Sequence, residues 1–187
     1  MKPYETRNKT DLIKCCNNGD HPKFVFFWGQ TPSIDGSINK SCLSQWYYSP
    51  FSIDGINYPT AEHFMLASKA RIFNDLESLN LIINTKNPGK VKRLGRLVKN
   101  FDNDIWDQHS FEIVVKANLE KFNQNESLKI FLQNTGTKIL VEASPNDLIW
   151  GIGLSEHDHD ADQPAKWRGE NKLGFALMEA RERLIIY

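Results

Sequence analysis

Long apolar runs are missing from this chain. Hydrophobic residues make up 40% of its 187 positions, yet none of them gather into the ~20 consecutive residues that a bilayer-spanning helix needs. The opening Met1-Lys2-Pro3-Tyr4-Glu5 leads into polar sequence with no secretory apolar core. A soluble protein without a membrane partner is the expectation. Cysteine is scarce: Cys15, Cys16 and Cys42 are odd in number and lack metal-ligand spacing. That fits a reducing compartment better than a disulfide framework, so the cytoplasm is the expected location. Net charge is also absent, with 23 basic against 23 acidic residues. No global field attracts nucleic acid or a membrane surface, and any polyanion must be met by a local patch. No glycine-rich nucleotide loop, nucleophile elbow, zinc motif or internal repeat is found, which removes most support for those chemistries. The length suits one domain with a sizeable core.

What the chain does have is organised around Tyr58-Pro59-Thr60-Ala61-Glu62-His63-Phe64-Met65-Leu66-Ala67-Ser68-Lys69-Ala70-Arg71. Thr60 is a natural N-cap with Pro59 before it, so an amphipathic helix is expected to open at Ala61 and to bury Phe64, Ala67, Arg71 and Ile72. Glu62 and Lys69 lie seven positions apart, nearly in line. At 1.5 Å per residue their Cα atoms stand about 10 Å apart, too far for an i, i+4 ion pair. An acid and an amine facing one cleft can open a glycosidic C–N bond, the carboxyl handling protons and the amine attacking an anomeric carbon. The alternative is an acid complementing the helix dipole and a solvated lysine.

Residues 1–22 read as a polar tail or a peripheral helix, with residues 23–187 forming the domain. Phe24-Val25-Phe26-Phe27-Trp28 reads as a buried strand. Asp54-Gly55, set between short alternating runs, signals a tight hairpin. Leu76 to Ile83 and the segment carrying Val91, Leu94, Leu97 and Val98 read as helices. Between Lys86 and Lys99 the chain holds Lys86, Lys90, Lys92, Arg93, Arg96 and Lys99 with no acid. A basic helix start favours phosphate, and a solvated basic face is the other reading. Further helices are expected over Ser110 to Phe122 and up to Asn134 or Gly136, with a strand at Lys138 to Glu142. In Asp147 to Gly153 the glycines Gly151 and Gly153 would let backbone approach a ligand, and Trp150 offers a flat face for a base. Glu156 to Asp162 alternates imidazole with carboxylate, a candidate cation loop or a solvated one. A final helix buries Leu173, Leu177, Ala180 and Leu184.

Five blocks in this order resemble the NADAR family of YbiA-like N-glycosidases: Leu43 to Trp46, Tyr58 to Phe64 with Lys69, Lys92 to Arg96, Leu140 to Gly151, and Gly169 to Glu182. The resemblance covers roughly Phe24 to Leu184. It implies an α+β, helix-rich single domain with a small β-sheet, acting by hydrolysis of an N-glycosidic bond to ribose without a metal or organic cofactor. The substrate classes it implies are phosphoribosylamino-pyrimidine intermediates of riboflavin synthesis and ADP-ribose attached to guanine, free or in nucleic acid. Carried over residue by residue, Glu62, Lys69 and Asp147 become catalytic. Lys69 would attack the anomeric carbon to form an imine, Glu62 would shuttle protons, and Asp147 would steady charge at C1. Substrate contacts fall on Gln45, Trp46, His63 and Arg96, the last to phosphate, and on Trp106, Trp150, Gly151 and Asn171. A direct oxocarbenium route with an electrostatic Lys69 stays open. Two departures stand out: Gln45-Trp46 replaces the family's Asn-Phe, and the 152–166 loop is longer than in compact bacterial members. A non-catalytic module binding ADP-ribose or a related nucleotide is the alternative function, and a structural or partner-binding helical domain is a third.

Overall fold

The computed structural model describes residues 1–186. Its elements are α1 (Lys9–Asn17), β1 (Phe24–Phe27), β2 (Phe51–Ile53), β3 (Ile56–Tyr58), α2 (Ala61–Ile72), α3 (Leu76–Ile83), α4 (Pro88–Arg96), α5 (Asn103–Asn123), α6 (Glu126–Asn134), β4 (Ile139–Glu142) and α7 (Lys172–Ile186). The architecture is α+β and helix-rich. Its β content forms two separate two-stranded ribbons among the described residues, not one sheet.

The first ribbon pairs β1 with β4 in parallel, Phe24 opposite Ile139 and Phe27 opposite Glu142. A parallel pair must be covered, because helical crossovers bring apolar segments to its faces, and Ile139, Leu140 and Val141 are fully buried, with α7 packed against β4. Trp28, expected to continue β1 inward, lies beyond its end and is 64% exposed. The second ribbon is the hairpin read from Asp54-Gly55. Both residues have positive φ, 52° and 77°, the twist that a two-residue loop needs to match its strands.

Helix α2 begins at Ala61, as its start signal says, but not through the expected cap. The Thr60 hydroxyl bonds to the His63 ring at 2.8 Å rather than to a backbone amide. Nor is α2 amphipathic. Every residue from Ala61 to Ala67 is buried, and Ala70 as well, because α3, α4 and α5 all pack against it and alanines permit close approach. The fourth helix stops at Arg96, so Leu97 is exposed outside it. Helix α5 starts seven residues before the expected Ser110, at an Asp102 cap that accepts from the Ile105 amide at 3.0 Å. Its first two turns are largely exposed and carry no apolar stripe to read. Within residues 1–22, α1 packs through the buried Leu12 and Cys15, and Arg7 pairs with Glu179 and Glu182 of α7. No described helix is long and apolar enough to cross a membrane.

Candidate active site

The site is assembled where the first turn of α2, the middle of α4, the carboxyl end of β4 and the Asp147 turn meet. Glu62 is 4% exposed, and burial pushes its carboxyl up to about 7 against the opposing pull of Lys92 and a Trp46 hydrogen bond, with Asp147 pushing further up. Glu142, the last residue of β4, is pushed up to about 8, first by burial and then by Asp147 and Glu62, with Lys92 opposing. Its Oε2 is buried without a hydrogen-bond partner. Three carboxyl groups thus share one ammonium. Taking a carboxylate out of water without full compensation favours the neutral form, so this cluster retains protons at neutral pH.

Trp46 comes to Glu62 on a segment that α5 holds in place. The Lys121 ammonium, fully buried, donates to the Cys42 carbonyl at 2.7 Å and the Ser44 carbonyl at 2.8 Å. Asn118 Nδ2 donates to Gln45 Oε1 at 2.9 Å, and the Gln45 carbonyl accepts from the Glu62 amide at 3.0 Å. Gln45 therefore faces the interior, where its Nε2 is unpartnered. Lys92 Nζ lies 5.7 Å from the Trp46 ring centre.

Lys69 stands about two turns further along α2, on the same face as Glu62. Its ammonium donates to the Gly95 carbonyl at 2.9 Å, sits 3.8 Å over the Phe101 ring and lies 5.8 Å from the Trp106 ring. Burial alone lowers its pKa. No cationic neighbour contributes to this shift, and Arg71 points to the Tyr58 hydroxyl at 2.6 Å. Arg96 is exposed at the last turn of α4, the opposite end from the basic helix start. Asp147 Oδ1 accepts from the Ile149 and Trp150 amides at 3.0 and 2.8 Å, an Asx turn that fixes the carboxylate on the site's border.

Three expected contacts prove structural. His63 is fully buried, its Nδ1 facing the Thr60 hydroxyl and its Nε2 facing the Thr85 carbonyl, each at 2.8 Å. A carbonyl only accepts, so Nε2 carries the proton and Nδ1 accepts from Thr60, which leaves nothing for a substrate. Gly151 lets backbone approach backbone, not a ligand: a Cβ there would stand 2.9 Å from the Glu142 carbonyl and 3.1 Å from that of Asp147. Asn171, at φ 56°, accepts from the Glu142 amide at 3.0 Å and donates to the Leu140 carbonyl at 2.9 Å, tethering the outer edge of β4. Trp150 is half-buried against the core. Sequence reasoning passed over Glu142 and Lys92 as site residues. Glu142 read as the end of a strand and Lys92 as one of six basic residues; a carboxyl ending an apolar strand beside Asp147 was the usable signal.

A hollow of about 550 Å³ lies elsewhere, lined by Phe64, Ser68, Arg71 and Lys116 among others. Phe64 and Arg71 stand about 200° and 180° around α2 from Glu62 at 100° per residue, so this hollow is on the helix's far side. Volume there follows gaps between side chains, whereas the acid cluster carries the chemistry. On the 152–166 loop, Asp158, His159 and Asp160 offer ligand atoms within 4.8 Å of one another. His159 is exposed and next to both carboxylates, an arrangement that solvated loops also adopt.

The NADAR domain model matches residues 26–185 of this chain. N-glycosidase R617 of Acanthamoeba polyphaga mimivirus is 41% identical over 165 residues, covering 86% of this chain and 95% of that protein. N-glycosidase YbiA of Escherichia coli (strain K12) is 32% identical over 137 residues, covering 73% of this chain and 77% of its own. The NMR structure of E. coli YbiA superposes with a TM-score of 0.70 at 28% identity, over 89% of this chain and 88% of that one. Matched along most of its length in sequence and in fold, the chain belongs to the NADAR domain family.

Proposed function

We propose that this chain is an N-glycosidase that hydrolyses the bond between ribose and a nitrogen base, its substrates being ADP-ribosylated guanine, as nucleotide or in nucleic acid, or a phosphoribosylamino-pyrimidine. Hydrolysis of an N-glycosyl bond is the activity that the relatives' names share. The observation that carries the reading is the buried acid cluster: Glu62 is held near neutrality beside Asp147 and Lys92. Carboxyls tuned apart from their ordinary range are what cleavage of a glycosyl bond requires.

In this reading Glu62 is the general base that draws a proton from the attacking water. The Asp147 carboxylate, fixed by its Asx turn, offsets positive charge developing at C1 as the base departs. Lys92 meets a phosphate or ribose oxygen from α4, a role that its position favours over the exposed Arg96. Lys69 is the nucleophile: its neutral amine forms a bond to C1 as the C1–N bond to the base breaks. The ring then opens to an imine with the proton passing to the ring oxygen, and water adds to release the lysine. Burial already moves its pKa in the direction that this step needs.

The test offers purified protein an ADP-ribosylated guanine nucleotide and, separately, a phosphoribosylamino-pyrimidine. Release of free base is followed by mass spectrometry, with and without borohydride. Base release that is lost in Glu62→Gln supports the enzyme reading, and a borohydride adduct mapping to Lys69 supports the imine. Tight binding of either compound with no base released would favour a nucleotide-binding module instead.

A further inference from the structure

We propose that Glu142 is a second catalytic carboxyl, the group that delivers a proton to the departing base nitrogen, so that Glu62 is left to act as base. The inference rests on the N-glycosidase reading and deepens it. The backbone of Glu142 is clamped on every side. Its partner in β1 is Phe27, whose carbonyl accepts from the next amide, Ala143, at 2.9 Å. On the other edge its own amide donates to Asn171 Oδ1 at 3.0 Å. Its carbonyl accepts from the Ile152 amide at 2.9 Å. A residue fixed to this degree presents its side chain in one place, which a proton donor needs.

The carboxyl so presented has a buried oxygen, Oε2, with no partner in the protein. An unpaired buried polar atom costs about 1–3 kcal/mol, and a base nitrogen of the substrate would give this oxygen a hydrogen-bond partner. The charged groups that face it are Glu62 from α2, Lys92 from α4 and Asp147 from the turn. One ammonium cannot balance three carboxylates at close quarters, so at least one proton stays in the cluster. With no hydrogen-bond partner for its Oε2 and two like charges beside it, Glu142 is the member assigned the proton. Glu62, which has a Trp46 hydrogen bond to its charged form, ionises first. The pair titrates as a unit, with one proton held between the two across neutral pH.

The step balances. The proton leaves the Glu142 carboxyl for the base nitrogen as that nitrogen takes the electron pair of the C1–N bond, and Glu62 accepts a proton from water. Transfer of that proton from Glu62 to Glu142 restores the resting state without an outside reagent.

The test is the pH dependence of kcat/KM for base release by wild type, Glu142→Gln, Glu142→Asp and Glu62→Gln. The expected result is a bell for wild type. Glu142→Gln loses about 10²–10⁴-fold at neutral pH, the usual worth of a proton donor, together with the alkaline limb of the bell. Glu142→Asp recovers part of the rate with its alkaline limb, and Glu62→Gln loses the acid limb. Retention of rate in Glu142→Gln, or loss of rate with both limbs intact, overturns the proposal, the second by pointing to a merely structural residue. If Glu142→Gln does not fold, NMR of carboxyl-labelled wild type carries the test, and a Glu142 carboxyl already ionised at pH 6 overturns it. A wild type that releases base from neither compound refutes the glycosidase reading and this role together, whereas an active wild type with an unimpaired Glu142→Gln refutes the role alone.

Discussion

Glu62→Gln should stabilise the protein above neutral pH and leave it nearly unchanged in acid. The native carboxyl sits at about 7 against an ordinary 4.5, with burial the first cause. Below 4.5 the carboxyl is protonated in the folded and unfolded chain alike. Between 4.5 and about 7 the unfolded chain ionises while the native one holds its proton, so the native state binds more protons and stability falls as pH rises. Above about 7 both forms are ionised and the loss levels off. At about 1.4 kcal/mol per pH unit the full loss is about 3 kcal/mol, a ceiling because Glu142 and Asp147 share in the repulsion. Glutamine keeps the shape without the charge, so the stability difference between variant and wild type should grow across that window and then flatten. Urea denaturation at intervals from pH 4.5 to 8.5 measures it, with the m-value checked for constancy. Parallel curves for the two proteins across the whole range would refute the argument that Glu62 is buried against its charge.

Three further outcomes rest on single contacts of the fold. Lys69→Arg, which keeps a cation beside the Gly95 carbonyl and Phe101 but cannot form an imine, should lose at least about 10²-fold in base release and all borohydride trapping, with intact mass as the readout. Gly174→Ala puts a Cβ 2.0 Å from the Leu140 carbonyl oxygen, a backbone contact that cannot yield, and should cost upwards of about 4 kcal/mol or abolish folding, measured by thermal melting. Asn171→Ala removes both tethers of β4, leaves a non-glycine residue at φ 56° and should cost about 2–4 kcal/mol. Asn171→Asp keeps an acceptor for the Glu142 amide, so it should cost less, a difference that parallel urea titrations would resolve.

The parts of the fold with local signals were legible in the sequence. Asp54-Gly55 specifies its hairpin through backbone conformation alone, and Pro59-Thr60 stops helix at Ala61 whichever way the hydroxyl points. The early turns of α5 were not legible, because a helix whose first face meets solvent has no apolar rhythm to detect. In the site, Trp46 and Asp147 both act on Glu62, residues that the family resemblance, and not spacing, had singled out. His63, Gly151 and Asn171 looked functional for reasons that serve architecture equally well: imidazole, glycine and asparagine are also the residues that satisfy buried carbonyls, allow close backbone crossings and adopt positive φ. Glu142 was hidden by the opposite bias. A glutamate ending Ile139-Leu140-Val141 reads as the edge of the strand, and only the return of Asp147 and Ile152 beside it turns that edge into the floor of a site.

The balance at Glu62 explains why the site lies at the start of α2 without taking its character from that helix end. A carboxyl in a first turn is ordinarily favoured in its charged form by free amides and the helix dipole. Here those amides are already used, the Glu62 amide by the Gln45 carbonyl and the His63 amide by the Thr60 carbonyl. The segment that carries Gln45 is fixed in turn by Lys121 and Asn118 from α5. The network that delivers Trp46 to the carboxyl therefore also withholds from that carboxyl the donors that would have held it ionised. Burial wins over the dipole, and the result is an acid that can both gain and lose a proton near neutral pH. Lys69 meets the same logic at the other end of the helix: a carbonyl and aromatic rings accommodate the ammonium while burial lowers the cost of giving up its proton. One buried helix thus brings an acid and an amine toward each other in proton affinity, with neither requiring the other as its partner.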